Sequence, residues 1–221
     1  MSLTPPIDDY PPVHALLYGA VRASIGAAVW LGRDGTWGGN SNWDGDGDYL
    51  VNNHEGEYAM IRFLDDRTCV GALHSGDPYR EYDVAESLED TPSVLLPALR
   101  AIVESPFLSK PTPLITALFW SESGRVVSNE PWETFYRFGA NAIWNELTPD
   151  DLWLTEGAEL FDFSRQTALV IQGIARRRVQ SAKPIALTPD EVSELFTIDS
   201  PKKDEGLDTL RQGGPWAVLS R

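Results

Sequence analysis

The segment EYAMIRFL, residues 57–64, sets the strictest limit on the fold. Ala59, Ile61 and Phe63 alternate with Tyr58, Met60, Arg62 and Leu64. Only a strand puts each set on its own face, so the sequence predicts a strand with Ala59, Ile61 and Phe63 turned to the core. Further strands are expected at 27–31, 49–51, 68–74, 114–121 and 125–128. Asp65–Asp66–Arg67 and Ser123–Gly124 supply tight turns between them. The glycine-rich residues 32–48 read as a long loop or a pair of tight hairpins. Residues 75–90 read as a polar loop.

Helix signals are of a different kind. Residues 13–24 place Val13, Leu16, Leu17, Ala20 and Val21 at helical spacing. Thr91–Pro92, Glu130–Pro131, Thr148–Pro149 and Thr188–Pro189 each offer a proline for a first helical position, where its missing N–H costs nothing. Thr188 and Glu191 also match a capping box. Helices are expected at 93–104, 131–147, 158–179 and 189–196, with a single turn at 149–153. Leu160, Phe163, Thr167, Val170, Ile171 and Ile174 form the apolar stripe of the 158–179 helix, which Arg176–Arg177–Arg178 close at its negative end. Residues 1–12 are expected to be an extended arm and 197–215 a loop or weakly ordered tail. Residues 216–219 are apolar enough to dock as an edge strand. The expected class is α+β: an antiparallel sheet over about 27–128 packed against mainly C-terminal helices. The whole is read as a single domain, 1–221, strand-rich over 27–128 and helix-rich over 129–200.

Charge narrows the range of functions. Among 221 residues, 33 are acidic and 18 basic, for a net charge of −15. A phosphate backbone repels such a body, which argues against nucleic acid. The charge is uneven: residues 1–90 carry 16 acidic and 5 basic side chains. An acidic field of this kind steers a basic partner or holds a hard cation. Cys69 is the only cysteine, which excludes an intrachain disulfide and fits a reducing compartment. Its place in an expected strand reads as a buried, inert thiol. The N-terminus lacks the basic and apolar regions of a secretory signal. Runs such as Ala117–Trp120 fall far short of a membrane span. The reading is cytoplasmic, with no membrane and no nucleic-acid partner.

Residues 44–55, DGDGDYLVNNHE, hold the most specific local pattern. Asp44, Asp46, Asp48 and Glu55 occupy positions 1, 3, 5 and 12 of a calcium loop, whose ion would be Ca²⁺. Position 6 departs from the pattern, because Tyr49 stands where a left-handed glycine belongs. Trp37 and Trp43 lie beside Asn40 and Asn42 in the same stretch, a composition that also suits a sugar, with rings stacking on C–H faces. The pairs Asp65–Asp66, Glu89–Asp90, Asp150–Asp151 and Asp190–Glu191 are the raw material of carboxylate acid/base hydrolysis. The sequence carries no nucleophile elbow, P-loop or dinucleotide fingerprint. Three histidines, His14, His54 and His74, are scattered. Trp132, Phe135, Tyr136, Phe138 and Trp144 crowd one expected helix, as a wide core stripe or a partner patch.

These features rank the functional expectations. The first is a non-enzymatic interaction module for a basic partner, of the inhibitor or immunity type. Trp37, Trp43, Asp44, Asp46 and Asp48 are the expected contact residues. The second is a calcium- or carbohydrate-binding module built on the 37–55 loop. The third is a hydrolase with carboxylate acid/base residues.

Overall fold

A 21-residue helix, α1 (Val13–Arg33), organises the computed structural model of the chain. The structure describes residues 5–33, 40–44, 46–52, 56–74, 80–108, 115–181, 183–197, 200–212 and 218–220. The strand expected at 27–31 is instead the last third of α1. AAVWL is a short apolar run without periodicity, and such runs are ambiguous between helix and strand. Here the packing decides, because the run is covered by helices on several sides. The helix is long and apolar enough to cross a membrane by length and composition, and 67% of its most apolar stretch is buried inside the protein. Arg22 and Ser24 interrupt the stretch, so no unbroken apolar run marks it in the sequence.

Six strands follow in an antiparallel sheet whose spatial order is the chain order. They are β1 (Asn40–Trp43), β2 (Asp48–Asn52), β3 (Tyr58–Phe63), β4 (Cys69–His74), β5 (Ala117–Glu122) and β6 (Arg125–Val127). Sequence and structure agree on the class: a six-stranded antiparallel sheet with later helices packed on it, α+β. Ile61 pairs with Gly71 and Gly71 with Phe119, so the Phe119 ring covers the bare glycine.

Both faces of the sheet are buried. Ala59, Ile61 and Phe63 face the main core with α1, as their alternation predicts. The opposite face is covered too, so Met60 joins Val70, Ala72, Leu118 and Trp120 in a second cluster. Its cover comes from the excursion between β4 and β5. That excursion holds α2 (Val84–Asp90) and α3 (Leu96–Val103), with Leu99 and Ile102 fully buried. Each such side chain contributes roughly 1.5–3 kcal/mol. Helix α2 lies within a stretch read as a loop. Its N-cap is Asp83, whose carboxylate accepts from the Glu86 N–H.

The remaining helices are shorter than expected. The 131–147 segment divides into α4 (Trp132–Phe138), a 3₁₀ turn (Ala140–Ile143) and α5 (Trp144–Leu147). The break falls at Gly139, where a Cβ would sit 2.9 Å from that of Ala117. Next come α6 (Asp150–Leu152), a π turn (Trp153–Gly157) and α7 (Ala158–Leu160). The 158–179 helix also breaks. Asp162 takes a left-handed conformation, and Ser164 caps a new helix, α8 (Arg165–Gln180). The stripe survives in Thr167, Ile171 and Ile174, which are buried.

The chain then forms β7 (Ile185–Leu187), α9 (Pro189–Leu195), α10 (Lys203–Arg211) and β8 (Val218–Ser220), which pairs in parallel with β7. The capping box at Thr188 and Glu191 is present, with Pro189 inside the first turn. Of the four proline signals only this one sits as expected. Pro131 and Pro149 lie one residue outside their helices, and Pro92 starts a turn ahead of α3. Helix α10 replaces the polar tail expected there. It is amphipathic, with Leu207 and Leu210 buried against α1.

The arm bends over residues 6–9 and docks on the body. Tyr10 packs edge-on against Trp132 at 5.1 Å, and the Trp132 indole N–H donates to the Ile7 carbonyl. Trp132, Phe135, Tyr136 and Trp144 are thereby core residues and not a surface patch.

Candidate partner-binding face

The register of the sheet brings three hairpin turns to one end. Asp48, which starts β2, pairs with Arg62 near the end of β3. Phe63 pairs with Cys69 across the β3–β4 turn, and Val70 with Trp120. Glu122 pairs with Arg125 across the β5–β6 turn. The turns at 44–47, 64–68 and 123–124 therefore share an edge of the molecule. Asp46, Asp65, Asp66 and Glu122 are exposed there and Asp44 is partly exposed. Arg67 and Arg125 are the cations among them, and Arg125 is paired with Asp9.

The β1–β2 turn shows why aspartates are needed. Asp44 Oδ1 accepts from the backbone N–H of Asp46 at 2.9 Å and of Asp48 at 2.8 Å. Its own N–H donates to the Asp48 carbonyl, and the left-handed position falls on Gly47 (φ 88°). Asp48 points inward. Arg62 grips both its oxygens, Nε to Oδ1 at 2.6 Å and Nη2 to Oδ2 at 2.5 Å. The Asp48 hydrogen bond, with the charges of Asp44 and Asp46 adding, holds the Arg62 guanidinium above its usual range.

The residues expected to bind are thus separated. Asp44 and Asp46 stand at the surface of the turn. Asp48 is spent on Arg62. Trp43 is buried between Tyr49 and Phe63, and its indole N–H donates to Ser24 Oγ at 3.1 Å. Trp37 and Glu55 lie outside the described residues. Among the described residues, no three His, Cys, Asp or Glu side chains gather as a metal site.

Two apolar residues join the acidic end, and sequence reasoning missed both. Leu64 opens the β3–β4 turn and is 49% exposed; Val94, in the α2–α3 link, is 81% exposed. A groove of about 500 Å³ lies beside Val94, lined among others by Asp65, Asp66, Arg67, Pro92, Leu95 and Ser123. The available signal was a lone Val94 between Ser93 and Leu95, directly after a Thr–Pro turn.

Three of the five basic residues of the N-terminal part, Arg22, Arg33 and Arg80, are engaged away from this end. Arg22 pairs with Asp150, and Arg80 with Glu130. Arg33 donates to the carbonyls of Leu195 and Glu194. Within residues 1–90, Asp48 is neutralised by Arg62 and Asp9 by Arg125. Asp65, Asp66, Glu81, Glu86, Glu89 and Asp90 are exposed and pair with no described cation.

A second cleft, also about 500 Å³, lies between the arm and α1 and includes Tyr10, Tyr18, Arg22 and Asp150 in its walls. Arg22 is 1% exposed and donates to Asp150 and to the carbonyls of Asn145 and Thr148. Burial lowers its pKa, and the nearby anionic groups oppose that. Burial would raise the Asp150 carboxyl, but hydrogen bonds from Tyr18 and Arg176 and the Arg22 charge hold it below the usual range. Glu146 is fully buried and burial raises its carboxyl, which accepts from Tyr49 Oη at 2.5 Å and Ser41 Oγ at 3.3 Å. This network ties α1 and the first hairpin to the 144–150 segment.

Two of the other carboxylate pairs have a member with local employment. Asp65 accepts from the Arg67 N–H in its turn, and Glu191 closes the capping box. Cys69 is wholly buried and its thiol is pushed well up by burial. No family model, curated protein or solved structure matches this chain.

Proposed function

We propose that the chain is a non-enzymatic interaction module that binds a basic partner through the three-hairpin end, as an inhibitor or immunity-type protein does. One observation carries the reading. The turns that gather five carboxylates, those of Asp44, Asp46, Asp65, Asp66 and Glu122, also hold Leu64 and adjoin Val94, the two most exposed of the large apolar side chains described. An apolar centre within a charged rim is the composition of a protein interface. The acidic rim accelerates encounter with a basic surface, and the apolar centre supplies affinity once water is excluded.

The test compares the immobilised chain with a D44N/D46N/D65N/D66N variant as baits for basic proteins at low salt. The expected result is a basic protein retained by the parent, released by salt and not retained by the variant. Equal retention by both baits would overturn the proposal.

A further inference from the structure

The groove beside Val94 carries a more specific reading, which rests on the proposed function. The exposure of Val94 is built in. Leu95 N–H and Leu96 N–H both donate to the Pro92 carbonyl, and Thr91 Oγ1 donates to the Ser87 carbonyl. These bonds fix the α2–α3 link, and Leu95 plugs into the second cluster directly after Val94. Val94 is thus held outward by its own ordered turn. Asp65 and Asp66 line the same groove, and the Arg67 guanidinium lies against the Ser123–Gly124 turn, both of whose residues are left-handed.

An exposed valine beside two carboxylates, with the Arg67 guanidinium held against the turn, suits one kind of insert. We infer that the groove receives a single leucine-sized aliphatic side chain of the partner, carried on a segment with Lys or Arg on both sides. The aliphatic group packs on Val94 and Pro92, and the flanking cations meet Asp65 and Asp66. Burying such a side chain raises affinity by about tenfold or more over a polar one of similar charge context.

The probes are two blocked pentapeptides of equal charge, Lys-Lys-Leu-Lys-Lys and Lys-Lys-Ser-Lys-Lys. Each is titrated into the full ¹⁵N-labelled chain at low salt and followed by amide shifts. The leucine peptide is expected to bind about tenfold tighter, with shifts at Val94, Leu95 and Asp66. Val94→Ser should erase the leucine preference while both peptides still bind, and D65N/D66N should weaken both. Equal binding of the two peptides at the acidic end would overturn the groove inference and leave the partner reading standing. Failure of both to bind, or binding confined to another surface, would overturn both.

Discussion

Asp48 shows how one aspartate in a row of aspartates takes a structural partner. Asp46 faces water, but the β2–β3 register places Asp48 directly across from Arg62, which holds its buried carboxylate. Asp48→Asn should cost about 1–3 kcal/mol in chemical denaturation, toward the low end because Arg62 keeps some water contact. For the same reason millimolar Ca²⁺ should move the thermal midpoint no further than Mg²⁺ at matched ionic strength. A Ca²⁺-selective rise would restore the 44–55 loop as a metal site. Glu146 gives a pH signature. Its folded pKa is raised above the unfolded value of about 4.3, so the stability it contributes is present below that pH and is lost as pH rises through the folded value. Glu146→Gln should therefore flatten the loss, and above neutrality its midpoint should exceed that of the parent. Asp150, with a depressed value, works in reverse, and its contribution disappears as pH falls through the folded pKa. The turn aspartates were legible from sequence because turn chemistry is local. The partners of Asp48, Glu146 and Asp150 were not, because they come from other strands and helices.

Helices in this fold are positioned by what their glycines allow. A Cβ at Gly19 would lie 1.8 Å from the Glu146 carbonyl oxygen, so α1 and α5 meet only because Gly19 is bare. Gly19→Ala should destabilise by about 1–3 kcal/mol through overpacking, measured as a lower denaturant midpoint. Gly173, inside α8, has nothing within 4 Å of the same added atom. Gly173→Ala should instead stabilise by about 0.5–1 kcal/mol, since only helix propensity changes. Elements with a local signature were readable: the 57–64 alternation, the Ser123–Gly124 turn and the Thr188 capping box. The end of α1, and α10 as a whole, were not. The first is an apolar run of either type, and the second exposes so much charge that its Leu207 and Leu210 stripe is thin. What makes both helical is mutual contact, with Gly206 of α10 lying against the Ala28 carbonyl and Gly32 of α1.

At the scale of the molecule, the net charge of −15 is displayed unevenly, because arginines of the N-terminal part neutralise acids of the C-terminal part. Association with a basic partner should therefore slow about tenfold or more between roughly 0.05 and 0.5 M salt, as read by stopped-flow mixing. An association rate constant indifferent to salt would count against steering. The uneven charge was legible from counts along the chain. The gathering of Asp44, Asp46, Asp65, Asp66 and Glu122 with Val94 was not, because which turns share an end depends on strand register across the whole sheet. The pairing of α1 with α10 also sets a schedule. During synthesis α1 leaves the ribosome roughly 10–30 s before α10 is complete. Through that interval an apolar helix, long enough to enter a bilayer, lacks part of its cover. A chain cut short ahead of Lys203 keeps α5 and α8 against α1 but leaves the Ala28–Gly32 end of that helix without the helix that packs on it.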